Sequence, residues 1–288
     1  MKIKDIIKNN KTTVSFEVFP PKEWSKIETT KAVVDEMTKS HPAFMSVTYG
    51  AAGTTSGFTT EIAQEILSKG VTPLAHLTCL TSTRDKVRHV VQEMKETGVE
   101  NILALRGDIP EGFTFPDEQY FEHAYQLVNE IKSMGDFCIG GACYPEVHPE
   151  SENRVTDIEY LKQKVDCGVD FLTSQMFFDN NVFFNFREMC AIKGINVPLI
   201  AGIMPVTKAS QITRIIKLSD CTLPVKFEKI VERFGENDNA MKQAGIVYAA
   251  EQIIDLMANG VNNIHIYTMN KPDVAAAIVR ELGDIINE

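Results

Sequence analysis

The chain has 288 residues, of which 44% are hydrophobic and 24% charged, and its net charge at pH 7 is −10. These proportions are those of an ordinary soluble globular domain. The acidic balance argues against non-specific binding to nucleic acid, and no apolar stretch approaches the ~20 residues that a membrane span needs. The six cysteines form no CxxC pair and we find no signal peptide, so we expect reduced thiols in a cytoplasmic protein.

Short apolar runs recur about every thirty residues, which is the repeat of a strand, a turn, a helix and a turn. Val, Ile, Leu and Phe occur at both odd and even positions of these runs, as in parallel strands that are covered on both faces. The pattern predicts a single (β/α)8 barrel over residues 1–288, with extra helices between strands seven and eight, where the spacing doubles. The predicted strands are TVSFEVF, AFMSVTY, PLAHLTC, NILALRGD, CIGGACYPEVH, FLTSQ, PLIAGIMP and NIHIYT.

Stretches of helical period lie between these runs, after a short leading helix in MKIKDIIKNN. Gly70 and Gly98 follow two of the stretches and are expected to be helix-ending C′ residues. The predicted helices cover residues 25–39, 58–69, 83–97, 117–134, 155–167, 180–193, 207–218, 225–234, 238–259 and 272–286.

Nearly every predicted strand ends in a side chain able to do chemistry, and the carboxyl ends of barrel strands are where such folds keep their active sites. Glu17 lies between Phe16 and Val18, so partial desolvation would raise its pKa toward the working range of a general acid. The alternative is a strand-end Glu paired with a Lys or Arg on the barrel rim. Pro20 and Pro21 force a rigid exit from this strand in either case.

The fourth strand ends in Arg106, Gly107 and Asp108. An Arg there can clamp a phosphate with two hydrogen bonds, and Gly107 lets the backbone approach a ligand closely. Asp108 could accept two hydrogen bonds from the N–H groups of a heterocycle. The alternative is an ion pair between Arg106 and Asp108 across the mouth of the barrel.

Two prolines stiffen the segment YPEVHP, which presents Tyr144 and His148. Tyr144 could stack on an adenine or flavin ring, and His148 could meet a phosphate, with Lys164 adding positive charge. A purely structural turn is the alternative, and His76 could equally be a hydrogen-bonded core residue. The sequence has no metal-ligand cluster, GxGxxG, P-loop or GxSxG motif, so a nucleotide would have to bind at the barrel mouth.

Eight strings in this order resemble bacterial 5,10-methylenetetrahydrofolate reductase along essentially the whole chain. They are SFEVFPPK, FMSVTYGAAG, HLTC, LALRGD, YPEVHPE, KVDCGVDFLTSQMFFD, GIMPV and HIYTMN. The resemblance implies a catalytic barrel that holds FAD non-covalently and reduces 5,10-methylenetetrahydrofolate to 5-methyltetrahydrofolate, within one-carbon and methionine metabolism. It implies a ping-pong cycle in which NADH or NADPH re-reduces the flavin, and a homo-oligomer is expected.

The same resemblance implies a role for each matching position. Glu17 would be the general acid, and Asp108 would bind the pterin near the flavin. Gln175, Gln211 and Lys271 would contact the folate, with Gln175 shared by the nicotinamide. The implied flavin contacts are Thr48, Tyr49, Ala51, His76, Arg106, Gly107, Asp108, Ala124, Tyr144, His148, Ser151, Asp157, Tyr160, Gln163 and Lys164.

Four positions depart from the family pattern. Tyr160 and Gln163 stand where Asn and Arg are expected, and Lys271 replaces an Arg, which loses bidentate geometry. Ile215 stands where some members place a Phe against the folded NADH. A partner subunit is therefore an alternative electron donor.

Two other functions remain open from the sequence. An aldolase or a pterin methyltransferase would also be a barrel, but the first would need a strand-end Lys and no strand here ends in one. A non-catalytic, flavin-binding subunit would not need both Glu17 and Asp108.

Overall fold

The computed structural model describes residues 1–49, 56–109, 119–219 and 221–287, without the side chains of residues 56, 214, 217–219 and 287. Eight strands lie where the apolar runs predict them, and nearly all of their residues are buried. Their bounds are β1 Thr13–Val18, β2 Met45–Val47, β3 Pro73–Thr78, β4 Asn101–Leu105, β5 Cys138–Cys143, β6 Phe171–Ser174, β7 Leu199–Ile203 and β8 Asn263–Ile266.

All of these strands are parallel, and each pairs with its neighbours in chain order. The sheet closes where β1 pairs with β8, with Ser15 opposite His265. On the other side of β1, Glu17 lies opposite Ser46 of β2. The predicted (β/α)8 barrel is confirmed, and its carboxyl ends gather the strand-end side chains at one mouth.

Helices follow the strands around the outside of the barrel, and α8, α9 and α10 fill the long connection between β7 and β8 as predicted. The helices are α1 Ile3–Asn9, α2 Ile27–Thr38, α3 Ser56–Ser68, α4 Arg84–Glu96, α5 Ala124–Met134, α6 Arg154–Asp166, α7 Asn180–Ile192, α8 Ser210–Ser219, α9 Val225–Phe234, α10 Asp238–Ala258 and α11 Pro272–Leu282. None of the helices in the described residues combines the length and the apolar character of a membrane-spanning segment.

Some helix ends differ from the prediction. The helix predicted from residue 117 begins at Ala124, because the side-chain oxygen of Gln126 turns back and accepts from the backbone N–H groups of Glu122 and His123. The last helix ends at Leu282, and residues 283–287 form a 3₁₀ turn. The predicted C′ residues Gly70 and Gly98 are confirmed, with φ of 78° and 79°.

Helix α1 closes the end of the barrel opposite the mouth. Its Ile3 and Ile6 are buried against interior residues such as Phe44 and Phe171. The backbone N–H of Ile3 donates to the side-chain oxygen of Asn101 at 2.8 Å, which fixes the helix to the start of β4. The apolar bottom of the barrel thus excludes water, and the polar interior groups lie above it.

We expect Gly140→Ala to destabilise the barrel by about 1–3 kcal/mol, because overpacking forces neighbours to move. A Cβ at Gly140 on β5 would lie 2.6 Å from Cζ of the buried Phe171 and 2.9 Å from Cδ1 of Leu103. Urea unfolding measures the loss. Gly57→Ala is the control, since its Cβ on α3 would meet only Trp24 at 4.0 Å. An equal loss in both variants would contradict the packing argument.

Candidate functional site

Glu17 lies at the end of β1 inside the barrel, with 7% of the residue exposed. Burial raises the pKa of its carboxyl to about 8. One ionisable neighbour is His76, whose Nε2 lies 3.7 Å from Oε2 of Glu17, and no Lys or Arg of the described chain pairs with Glu17. The alternative that Glu17 pairs with a Lys or Arg on the barrel rim is therefore wrong. With a pKa of about 8, the Glu17 carboxyl is mainly in its neutral form at pH 7.

The loop after β8 holds the end of β1 in place. The Thr268 hydroxyl donates to the Glu17 carbonyl at 2.7 Å. The Asn270 side chain accepts from the backbone N–H of Phe19 at 2.7 Å and donates to its carbonyl at 2.9 Å. Met269 and Asn270 both have positive φ, near 55°, which is unusual for side chains other than glycine. These contacts give the acid a fixed position.

His76 on β3 is buried, and burial lowers its pKa to about 3, so the ring is neutral. Its Nε2 has no hydrogen-bond partner among the described residues. A buried polar atom of this kind usually finds a partner, so the atom is available to a ligand beside Glu17. The alternative that His76 is a satisfied core histidine is not supported.

A cavity of about 660 Å³ opens at the mouth between the ends of β3, β4 and β5 and helices α5 and α6. Of the predicted flavin contacts, all line it except Thr48, His76 and Ala51, and Ala51 lies outside the described residues. His76 lies two residues before the lining residue Thr78 on the same strand, and Glu17 lies beside His76, so both residues lie next to the cavity without lining it. Further lining residues that the sequence did not single out include Thr78, Leu105, His123, Tyr125 and Glu150.

Arg106 pairs with Glu150 rather than with Asp108. Nη1 and Nη2 of Arg106 donate to the two carboxylate oxygens of Glu150 at 2.6 and 2.5 Å. An Arg can bind a phosphate with the same bidentate geometry. The guanidinium holds the pKa of Glu150 below its usual range. The alternative Arg106–Asp108 pair is therefore wrong, and Asp108 is exposed at the mouth.

The segment from Tyr144 to His148 is rigid and strained. The two rings contact edge to face at 4.5 Å, and Val147 between them has φ of 86°, which is strained for a β-branched residue. The backbone N–H of Glu150 donates to Nδ1 of His148 at 3.1 Å, leaving Nε2 as the ring nitrogen for other contacts. Burial raises the pKa of Tyr144 to about 12, so its phenol is neutral.

Lys164 on α6 is half-buried beside this segment. Its Nζ donates to the carbonyl of Ala142 at 2.5 Å. Burial lowers its pKa from the ordinary value. The nearby carboxylate of Asp157 accepts instead from the Ser151 hydroxyl at 2.9 Å. Lys164 therefore brings a positive charge to the cavity that a phosphate could neutralise.

These residues fit a dinucleotide such as FAD. Arg106, His148 and Lys164 carry groups of the kind that bind phosphate, and Tyr144 has a ring on which a base or flavin could stack. The Thr78 hydroxyl is buried in the cavity wall without a partner in the described chain. The volume is also within the range of cofactor sites. Residues able to form a metal site do not cluster in the described ranges.

Two of the predicted folate contacts lie together beyond the ends of β7 and β8. The side-chain oxygen of Gln211 accepts from the backbone N–H groups of Thr207 and Lys208, both at 2.9 Å, and Lys271 Nζ donates to the Thr207 hydroxyl at 2.7 Å. Gln175 at the end of β6 accepts from the N–H of Met176 at 2.9 Å. Near this group Ile215 is buried in an apolar cluster with Phe178.

Among the positions that depart from the family pattern, Tyr160 and Gln163 line the cavity, and Tyr160 is 62% exposed at its rim.

Thr48, a predicted flavin contact that does not line the cavity, donates its backbone N–H to the carbonyl of Val18 at 3.0 Å, which ties the end of β2 to β1.

Comparison with known proteins identifies the family. The family model described as methylenetetrahydrofolate reductase matches residues 2–283. The chain is 34% identical to 5,10-methylenetetrahydrofolate reductase of Escherichia coli over 94% of its length and 90% of the relative's. The chain is also 35% identical to methylenetetrahydrofolate reductase (NADH) 1 of Arabidopsis thaliana. This match covers 98% of the chain but only 50% of the longer relative.

Solved structures show the fold alone, because their sequences are distant. A protein from Clostridium thermocellum, described as binding two copies of 5-methyl-5,6,7,8-tetrahydrofolic acid, has a TM-score of 0.67 at 14% identity and covers 99% of this chain and 98% of its own. An oxaloacetate acetylhydrolase has a TM-score of 0.56 at 13% identity, covering 97% and 84%. Since one fold carries several activities, the assignment rests on the sequence match, by which the chain belongs to the methylenetetrahydrofolate reductase family of oxidoreductases.

Proposed function

We propose that the protein reduces 5,10-methylenetetrahydrofolate to 5-methyltetrahydrofolate with bound FAD, and that NADH or NADPH re-reduces the cofactor in a ping-pong cycle. The observation that carries the proposal is the buried, neutral Glu17 beside a cavity that fits a dinucleotide. Bound flavin would supply the hydride. Residues of the chain would donate the proton and would bind and orient the cofactor and the folate.

Glu17 would supply the proton. Opening the five-membered ring of the folate requires protonation of a departing nitrogen, and a carboxyl with a pKa near the working pH can both hold and release that proton. The neutral His76 next to it cannot compete as an acid, because burial lowers its pKa to about 3. Thr268 and Asn270 keep the acid in place through the backbone of Glu17 and Phe19.

The other side chains would bind and orient. Arg106, His148 and Lys164 would contact the cofactor phosphates, with Arg106 exchanging its contact with Glu150 for a phosphate. Asp108 at the mouth would accept hydrogen bonds from the pterin, and Gln175, Gln211 and Lys271 would contact the rest of the folate. The contact between Lys271 and Thr207 would open or be shared when the substrate enters.

A visible spectrum of the purified protein tests this function, followed anaerobically by addition of NADH and then of methylenetetrahydrofolate. We expect flavin bands that NADH bleaches and the folate restores. Bands that respond only to NADPH, or to a chemical reductant, and still return with the folate would identify NADPH or a partner subunit as the donor. Absence of flavin binding after addition of FAD would contradict the proposed activity.

The folate half-reaction should slow above pH 8, because the reacting form of Glu17 is its protonated form and its pKa is about 8. We expect the rate to fall on the order of tenfold per pH unit beyond that point. Stopped-flow reoxidation of the reduced flavin by the folate measures it. A rate that is flat to about pH 10 would contradict the assignment of Glu17 as the acid.

The same raised pKa has a consequence for folding. Glu17 binds its proton more tightly in the folded chain than its ordinary pKa of 4.5 would give, so the stability it contributes is present below pH 4.5 and lost as the pH rises through about 8. A chemical unfolding series over this range should show that loss, and Glu17→Gln should remove it.

A further inference from the structure

Three polar side chains form a continuous hydrogen-bond chain inside the barrel beneath Glu17. The Ser15 hydroxyl lies 2.8 Å from Nδ1 of His265, and Nε2 of the same ring lies 3.2 Å from the Ser46 hydroxyl. All three residues are buried, with exposed fractions of 0%, 2% and 0%. Ser46 also lies opposite Glu17 in the register of β1 and β2, which makes its hydroxyl the hydrogen-bonding neighbour of the Glu17 carboxyl. The chain therefore ends on the proposed acid.

The barrel register brings these residues together. Ser15 lies opposite His265, and Glu17 lies opposite Ser46. Ser15 and Glu17 are two residues apart on β1, so they point to the same side of the sheet. The arrangement belongs to the strand framework and not to a loop.

The hydrogen bonds of the chain have one consistent direction. Ser15 has a single hydroxyl proton, and its oxygen lies 3.0 Å from the carbonyl of Ile264, which can only accept. Both contacts of Ser15 are hydrogen bonds only when Ser15 donates to this carbonyl and accepts from His265, which places the ring proton on Nδ1. A neutral imidazole with Nδ1–H has a bare Nε2, which can only accept. Ser46 then donates to Nε2, and toward Glu17 its oxygen can only accept.

His265 is neutral, which the argument requires. The ring is buried and stacks on Phe44 at a centroid distance of 5.9 Å. Burial lowers its pKa to about 3, with His76 adding a smaller repulsion. A doubly protonated ring would donate from both nitrogens and reverse the bond to Ser46, so neutrality is part of the arrangement.

Among the described residues, the other ionisable groups that face Glu17 do not offer it a proton. His76 of β3 is neutral and lies 3.7 Å from the carboxyl, beyond hydrogen-bond distance. Tyr267, which follows β8, uses its phenolic proton on the carbonyl of Ser174 at 2.6 Å. An ionised Glu17 would thus have no donor from Ser46, His76 or Tyr267 as they are arranged.

We propose that Ser15, His265 and Ser46 are positioning residues that orient one hydroxyl lone pair toward Glu17 and so hold the Glu17 carboxyl as a hydrogen-bond donor. The hydrogen bond between Ser46 and Glu17 therefore favours the protonated form, which is the opposite of the sign that a donating hydroxyl would give. The use of that proton in folate reduction rests on the proposed function, whereas the direction of the chain does not.

Proton transfer to the substrate has a defined cost in this arrangement. The O–H bond of Glu17 breaks, an N–H bond forms on the substrate, and a carboxylate remains. To solvate it, the Ser46 hydroxyl must turn away from His265, which leaves Nε2 without a donor. Recovery of a proton from water restores the acid and the hydrogen-bond chain.

Carbon-13 NMR of the Glu side-chain carboxyls tests the direction, on purified full-length protein with and without added FAD. The signal lost in Glu17→Gln identifies Glu17. We expect Ser15→Ala to lower its titration midpoint by about one pH unit, because the proton of His265 can move to Nε2 and free Ser46 to donate to the carboxylate. Ser46→Ala should also lower the midpoint, and Ser15→Ala should cause no further shift in the Ser46→Ala background.

A donating Ser46 predicts the opposite pattern. Ser46→Ala would then raise the midpoint, and Ser15→Ala would leave it unchanged; either result overturns the proposal. Ser82→Ala is the matched control, because Ser82 is a buried serine outside the chain, with 1% exposed. If Ser15→Ala does not fold, the sign of the Ser46→Ala shift alone decides. The titration needs neither folate nor electron donor, so a failed reductase assay leaves it intact.

Discussion

Replacing Glu17 with Gln is expected to slow the folate half-reaction by about 10²–10⁴-fold, which is the usual contribution of a positioned general acid. Gln has the same shape but no proton of suitable acidity. Because Glu17 is neutral in the folded protein, the amide replaces an uncharged group and the fold should be preserved. Single-turnover oxidation of the reduced flavin by the folate measures the loss.

The donor half-reaction separates this role from a structural one. Reduction of the flavin by NADH or NADPH needs no proton from Glu17, so its rate and the flavin affinity should stay close to those of the wild type. Glu36→Gln is the control, since Glu36 is an exposed residue of α2 that pairs with Lys39. Folate turnover near the wild-type rate in Glu17→Gln would remove Glu17 from the mechanism.

The fold could be predicted from the sequence because the evidence for it is repeated. Eight apolar runs of similar spacing predict the same unit, so an error in one would not change the barrel. Helix ends were less predictable, since a single side chain decides them. Gln126 moves the start of α5 to Ala124 by capping the backbone ahead of it, and nothing in the helical period of that stretch indicates this contact.

The candidate site was predictable where a residue type is unusual in its context. Glu17 in an apolar strand and the rigid segment holding Tyr144 and His148 are of this kind. Glu150 was missed, although it lies in the same motif, because its importance depends on the distance to Arg106, forty-four residues away in the chain. A local pattern contains no information on such a pair.

The chain beneath Glu17 was missed for a different reason. Ser15, Ser46 and His265 occur in strands whose other residues are mostly apolar, and single polar residues there look like ordinary variation. Only the register, which sets Ser15 opposite His265 and Glu17 opposite Ser46, shows that they meet. Hydrogen-bond direction then follows from counting protons, which requires the geometry.

Replacing Lys164 with Met should weaken FAD binding by at least about tenfold, because a charge-assisted contact to phosphate is typically worth about 1.5–3 kcal/mol. The same change should stabilise the cofactor-free protein. The Lys164 ammonium donates a hydrogen bond to the carbonyl of Ala142. Because burial lowers the pKa of Lys164, keeping the group charged at neutral pH costs folding free energy. The methionine keeps the length of the apolar stem.

Equilibrium titration with FAD and thermal unfolding of the FAD-free protein measure the two effects. We expect the Tm of the apoprotein to rise by about 2–4 °C for a gain of about 1 kcal/mol. Lys162→Met is the matched control on the same helix, because Lys162 pairs with Asp166 and does not line the cavity. In this variant the FAD affinity should not fall and the Tm of the FAD-free protein should not rise. A variant that loses both affinity and stability would mean that Lys164 supports the fold. Opposite changes would show that its charge is retained at the expense of stability in order to bind the cofactor.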